Sequence, residues 1–145
     1  MKLTRGTDYG ILGILYLAMQ PFEKVTLLYE IAKSQGIPES YLAKIFQDLG
    51  KEGLVRSRRG AKGGFCLARP ASEISLRQVI EALHGPISLN RCLDIREGCE
   101  HSETCAVASV LRKAQAQLLE TLDAATLDVL AAESLALQAG RDVAG

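Results

Sequence analysis

Between Leu27 and Leu49 two short runs of helically spaced apolar residues stand on either side of Gln35-Gly36-Ile37-Pro38, and few folds accept that arrangement. A glycine closes the first run because it enters the left-handed backbone region without a Cβ clash. A proline two residues on opens the second, since its missing N–H has no intrahelical partner to lose. Thr26 is placed to cap the first helix, which is predicted to run through Lys33 with Leu27, Ile31 and Ala32 as its buried stripe. Behind Pro38, Leu42, Ile45, Phe46 and Leu49 predict a second helix ended by Gly50 and Gly53. Short helix, tight turn and second helix make a helix-turn-helix pattern.

The residues beyond Gly53 extend the pattern. Leu54-Val55-Arg56-Ser57 reads as a strand, Arg59-Gly60-Ala61-Lys62-Gly63-Gly64 as a hairpin tip, and Phe65-Cys66-Leu67 as the returning strand. A helix-turn-helix joined directly to a basic, glycine-rich hairpin predicts a mostly α chain of winged helix-turn-helix type with a two-stranded wing. Ahead of it, Ile11, Leu12, Leu15, Tyr16 and Met19 predict a helix over Thr7 to Met19, stopped by Pro21. After it, Ser75 is placed to cap a helix through Leu83, built on Leu76, Val79, Ile80 and Leu83 and ended by Gly85-Pro86.

Periodicity fails from Ile87 to Thr104, which reads as a loop, and returns in a long helix from about Cys105 to Leu122. There Val107, Leu111, Ala114 and Leu118 alternate four- and three-residue steps, the spacing of a helix pair. A long helix beside a small winged domain favours a homodimer built on that stripe, although the same residues also suit packing inside one chain. Thr126 to Leu137 predicts a last helix, with Gln138 to Gly145 frayed. The expected regions are therefore a DNA-binding part at 1–70, a connecting helix and cysteine loop at 71–104, dimerisation and last helices at 105–137, and a tail at 138–145, all in one compact domain. A chain of 145 residues buries about 70% of its unfolded surface without a disulfide framework.

The formal charge of zero conceals an asymmetry. Residues 1–70 hold 11 Lys and Arg against 6 Asp and Glu, a net of +5, and residues 71–145 hold 6 against 11, a net of −5. Five cations, Lys51, Arg56, Arg58, Arg59 and Lys62, fall in one stretch opposed only by Glu52. Taken alone such a run is also what a solvated face looks like, and a winged helix also serves protein contacts. On the wing beside a recognition helix, the run points to a polyanion. Glu39, Ser40, Tyr41, Lys44 and Gln47 lie on the outer face of that helix, where short polar groups read base edges and cations hold phosphates. Arg58, Arg59 and Lys62 would lie along the DNA backbone or in the minor groove. The expected partner is double-stranded DNA, and the expected signature is affinity that falls steeply with salt.

Cys92, Cys99 and Cys105 form a C-x6-C-x5-C array. No stretch has the apolar length of a membrane span, and MKLTRGTDYG lacks the apolar core of a signal peptide. A cytoplasmic location is therefore expected, where grouped thiols more often serve metal or redox chemistry than structural bridges. Structural zinc usually draws cysteines in pairs two to four residues apart, and the wider gaps here suit an iron-sulfur cluster better. Zinc, a thiol switch, a disulfide or unrelated thiols remain the alternatives. A cluster on three thiolates takes a fourth ligand, for which His101, Asp94, Glu97, Glu100, Glu103, His84 and Asp8 are candidates that spacing does not separate. Cys66, among apolar neighbours in the returning strand, is expected to be buried. No nucleophile-base constellation is visible, and the wing glycines lack the strand-to-helix setting of a phosphate loop, which argues against an enzyme.

Met1-Lys2-Leu3-Thr4, Thr7-Asp8-Tyr9-Gly10, Arg59-Gly60 with Gly63-Gly64, Leu67-Ala68-Arg69-Pro70-Ala71, the three cysteines and Thr126-Leu127-Asp128 together resemble the Rrf-two family of winged-helix regulators, over nearly the whole chain. The likeness is to its iron-sulfur branch of nitric-oxide-sensitive repressors and cluster-assembly regulators. That resemblance implies a dimeric transcription regulator on a pseudo-palindromic operator, with crossing long helices and a cluster loop beside the dimer interface. It implies an iron-sulfur cluster, 4Fe-4S in preference to 2Fe-2S, on Cys92, Cys99 and Cys105. In the nitric-oxide-sensitive branch an aspartate of the other subunit completes the set, and Asp8 matches its position; His101 is the alternative. The assembly regulators use a histidine three residues after the last cysteine, where this chain has Ala108. The function so implied is a repressor that senses nitric oxide, redox state or cluster status.

Overall fold

The computed structural model describes residues 2–60, 64–90, 93 and 104–144. Thr4 starts the first helix, α1 (Arg5–Ala18), by accepting the Thr7 N–H at 3.2 Å on its hydroxyl. The start lies two residues earlier than periodicity placed it, because a polar cap rather than an apolar residue defines the end. The face with Gly10, Gly13, Ile14 and Leu17 turns inward, and its two glycines let neighbours close in. A Cβ on Gly13 would stand 2.8 Å from the ring of Phe46.

α2 (Leu28–Gln35) and α3 (Glu39–Lys51) form the helix pair, with Gly36 between them at φ 66°. Leu42, Ile45, Phe46 and Leu49 are buried as expected. Three details depart from expectation. Leu27, not Thr26, holds the cap position of α2, and Leu27 is exposed while Ile31 and Ala32 are buried. Thr26 is instead paired by its backbone with Phe65: each N–H donates to the other's carbonyl at 2.9 Å. Its side chain is thereby drawn into the interior, where the hydroxyl has no partner among the described residues. Gly50 lies within α3 and does not end it; the turn comes at Gly53, φ 74°.

β1 (Val55–Arg58) and β2 (Gly64–Leu67) pair antiparallel, with Val55 opposite Leu67 and Arg58 opposite Gly64. Phe65 meets Phe46 edge to face at 5.0 Å, fixing the wing's root on the core. A single turn at Ala71–Glu73 leads to α4 (Leu76–His84), which opens with a full capping box. The Ser75 hydroxyl takes the Gln78 N–H at 3.2 Å, and the Gln78 side chain takes the Ser75 N–H at 2.9 Å.

α5 (Ala106–Ala124) packs on α4, and α6 (Leu127–Ala144) returns over α1 and the Ala71–Glu73 turn. Backbone bonds from Leu76 to Ala125 (2.8 Å) and from Leu127 to Ile74 (2.9 Å) sew that return to the start of α4. Leu127 and Ile74 belong to the same core as Ile14, Phe46 and Leu67. The tail expected to fray is helical as far as Ala144. Gln138, Ala139 and Arg141 in it are good helix formers, and Arg141 in the last turn faces the negative end of the helix dipole.

Candidate functional site

Burial of the Leu42, Ile45, Phe46 and Leu49 face of α3 leaves Glu39, Ser40, Tyr41, Lys44 and Gln47 on the outside, all exposed. Pro38 precedes them and offers no side-chain cap, and α2 likewise starts without one. Both helices therefore present first-turn N–H groups to whatever lies in front of them, the arrangement that receives phosphate. Arg58 and Arg59 are exposed on the wing, beside Arg56. Lys62 lies outside the described residues. An apolar-floored cleft of about 580 Å³ runs between the second half of α3 and the wing, with Lys51 and Arg56 at its rim.

Among the described residues, Lys44, Lys51, Arg56, Arg58 and Arg59 enter no ion pair. The cations of this face are thus left for an outside anion. The pairs that do form lie elsewhere: Arg77 of α4 holds Glu81 at 3.2 Å and Asp123 of α5 at 2.8 Å. The bond to Asp123, then that to Glu81, raises the Arg77 pKa further. Tyr16 donates to Glu30 at 3.1 Å, tying α1 to α2; burial first, then Glu30, raises its pKa.

Two residues of this face were missed in the sequence. Tyr29 is 59% exposed at the start of α2, and Lys33 one turn on sets its ammonium 5.9 Å from the ring. An exposed aromatic off the apolar stripe with a cation at i+4 was the available signal. Tyr41 has a divided role. Its ring meets Tyr9 edge to face at 5.6 Å, and its hydroxyl lies 2.9 Å from where a Cβ on Gly6 would stand. It therefore braces α3 on the first turn of α1 as well as bordering the outer face.

Of the expected cluster ligands, Cys92, Cys99 and the alternative His101 lie outside the described residues. Cys105 holds the N-cap position of α5; it is exposed and makes no capping bond with its side chain. Asp8 is exposed in the first turn of α1. Among the described residues no three His, Cys, Asp or Glu side chains converge as a metal site. The near arm of the cysteine segment is anchored: the Leu89 N–H donates to Gln115 of α5 at 2.9 Å. Cys66 is 1% exposed in β2, as its setting predicts.

A helix pair with an open polar face, flanked by a basic wing, defines a winged-helix DNA-binding protein. The sequence profile of Rrf2, described as an iron-dependent transcriptional regulator, matches residues 3–133. The chain is 37% identical over 131 residues to Protein aau3 of Rhizobium meliloti (strain 1021), covering 90% of this chain and 84% of that protein. Among solved structures it resembles CymR (YrzC), the global cysteine regulator of B. subtilis, at TM-score 0.72 and 30% identity over 92% of this chain and 98% of that one. It also resembles T. potens IscR, at TM-score 0.71 and 32% identity over 90% and 86%. The chain belongs to the Rrf2 family of transcriptional regulators. Family and structural relatives alike are regulators rather than enzymes. Among the described residues no helix is long and apolar enough to cross a membrane.

Proposed function

We propose that the chain is a homodimeric, cytoplasmic repressor that binds a pseudo-palindromic operator and carries one iron-sulfur cluster per subunit, 4Fe-4S in preference to 2Fe-2S. Cys92, Cys99 and Cys105 would hold it, with Asp8 of a second copy as fourth ligand and His101 as the alternative. The observation that carries this reading is Cys105, whose free, exposed side chain stands at the start of α5. The same helix leaves Val107 and Val110 64% and 68% exposed. A thiolate ligand and an uncovered apolar stripe thus share one helix end, which suits a cluster beside a dimer contact. The iron dependence in the family's description supports the same reading. The donor set fits as well: thiolates suit iron-sulfur clusters, and Asp8 enters no ion pair among the described residues.

The cluster, when bound, supplies a centre that reacts with nitric oxide or oxidants. The chain supplies the consequence. Asp8 belongs to α1, whose next residue, Tyr9, meets Tyr41 of α3 edge to face, so a pull on Asp8 reaches the recognition helix through one ring contact. Val107, Leu111, Ala114 and Leu118 are the expected dimer stripe. DNA would be held by Glu39, Ser40, Tyr41, Lys44 and Gln47 with Arg58, Arg59 and Lys62. The coupling between cluster state and DNA affinity is expected at about 1–3 kcal/mol.

Anaerobic purification with a visible spectrum, iron and acid-labile sulfide analysis tests the centre directly. A brown protein with both elements is expected, losing colour on Cys99→Ser. Colourless material without iron or sulfide after reconstitution refutes it and leaves a zinc or thiol-switched regulator. Asp8→Ala against His101→Ala, compared for cluster retention, decides the ligand. Holo and apo dimers are then titrated onto duplexes selected from a random pool, and equal affinities refute the sensing role.

A further inference from the structure

A cleft of about 260 Å³ that shares no lining residue with the one between α3 and the wing is lined by Glu52, Leu54, Arg69, Gln78, Glu81 and Ala82. It is framed by the C-terminal cap of α3, the entry to β1, the exit from β2 and the flank of α4 that carries Gln78, Glu81 and Ala82. The Arg69 Nε–H is buried and has no hydrogen-bond partner among the described residues. An orphaned donor of this kind costs about 1–3 kcal/mol or more when charged, so a native chain normally fills such a place with an acceptor. Arg69 enters no ion pair among the described residues, although two carboxylates line the same cleft. Glu81 is committed to Arg77 at 3.2 Å, and Glu52 has no such partner among the described residues. Gln78 spends its side-chain oxygen on the Ser75 N–H at 2.9 Å, leaving its amide nitrogen as the group free to donate.

The cleft therefore offers a guanidinium and an amide donor for an anionic group, an uncommitted carboxylate for a cationic one, and the small apolar patch of Leu54 and Ala82 beside them. A simple anion would meet the repulsion of Glu52 and Glu81, and a simple amine that of Arg69. A molecule with both charges a short distance apart satisfies all of them. We propose that this cleft binds a free α-amino acid, its carboxylate on Arg69 and Gln78 and its ammonium on Glu52. The site uses none of the groups assigned to DNA or to the cluster, so it stands or falls independently of both.

The test is a thermal-shift screen of the full-length protein against single L-amino acids at millimolar concentration, followed by calorimetric titration of those that stabilise it. A ligand that binds only the folded state raises the melting temperature in a saturable way. Expected is a rise with one or a few amino acids and none with their N-acetylated or decarboxylated counterparts. Glu52→Gln, a change at an exposed position, is expected to weaken binding by about tenfold or more, the usual effect of losing a charged hydrogen bond. Arg69→Gln should abolish it. The proposal is overturned if no amino acid stabilises the wild type, if acetate or chloride does so equally well, or if Glu52→Gln binds as tightly as the wild type.

Discussion

Gly64→Ala should be the most damaging single-methyl change in the wing. The residue opens β2 opposite Arg58, and the chain of Thr26 and Leu27 passes directly over it. A Cβ here would overlap the Thr26 carbonyl oxygen, lie 2.7 Å from the carbonyl carbon and 3.1 Å from the Leu27 Cα. All three atoms are backbone, so no flexible side chain can give way. Relief requires the wing to move off Thr26, which breaks the reciprocal pair of 2.9 Å bonds between Thr26 and Phe65. Two backbone bonds are worth about 1–3 kcal/mol net, and overpacking strain adds about 1–3 kcal/mol. The expected loss is about 2–6 kcal/mol, a large part of the roughly 5–15 kcal/mol that holds a domain folded. With a urea slope of about 2 kcal/mol per molar, the midpoint followed by far-ultraviolet circular dichroism should fall by about 1–3 M at unchanged slope. DNA affinity should fall too, because the arginines of β1 travel with the wing. An unmoved midpoint would show that Thr26 and the wing do not touch as described.

Gly50 gives the opposite expectation: a Cβ there meets only the Val55 carbonyl at 3.7 Å within α3, so Gly50→Ala should raise urea stability by about 0.5–1 kcal/mol. Thr26→Val removes a buried hydroxyl without a partner and should be neutral or stabilising by up to about 1–2 kcal/mol in the same measurement. Ser75→Ala breaks the capping box of α4 and should cost about 1–2 kcal/mol, read as a lower melting temperature. Lys44→Ala and Arg58→Ala should each reduce the slope of log affinity against log salt by about 1, measured by fluorescence anisotropy on duplex DNA. An unchanged slope removes that residue from the phosphate contacts.

The elements that periodicity and punctuation placed well are those where one local rule decides. The buried stripe of α3, the turn at Gly36 and the cap at Ser75 each follow from a few adjacent residues, and all three stand as expected. Thr26 shows where local rules fail. Its side chain is a good helix cap, but its backbone is claimed by Phe65, nearly forty residues away, and only the tertiary fold reveals that claim. The wing glycines are a related case. Their sequence context marked a hairpin tip, whereas Gly64 is needed for close approach to this chain's own Thr26. Tyr41 was legible as an exposed polar residue of the recognition helix, but its edge-to-face contact with Tyr9 depends on how α1 crosses α3.

The stripe on α5 was legible as apolar and illegible as to partner, for a geometric reason. Successive helical residues turn about 100°, so Val107, Leu111, Ala114 and Leu118 fall on the border between two neighbouring faces. On one side Ala108 is buried, with Gln115 and Leu122 half-buried beside it, facing the body of the domain. On the other side Val107, Val110 and Ala114 are exposed, while Leu111 and Leu118 between them are half-buried. The apolar arc of α5 is thus wider than its own domain covers, and a heptad count alone cannot divide it. The division also ranks the residues. Leu111→Ala or Leu118→Ala should lower the stability of each subunit and its pairing together. Val107→Glu or Val110→Glu should leave the subunit folded and, on the dimer reading, shift sedimentation toward monomer at micromolar concentration. If both glutamate variants sediment as the wild type does, the uncovered arc does not pair two copies of this chain.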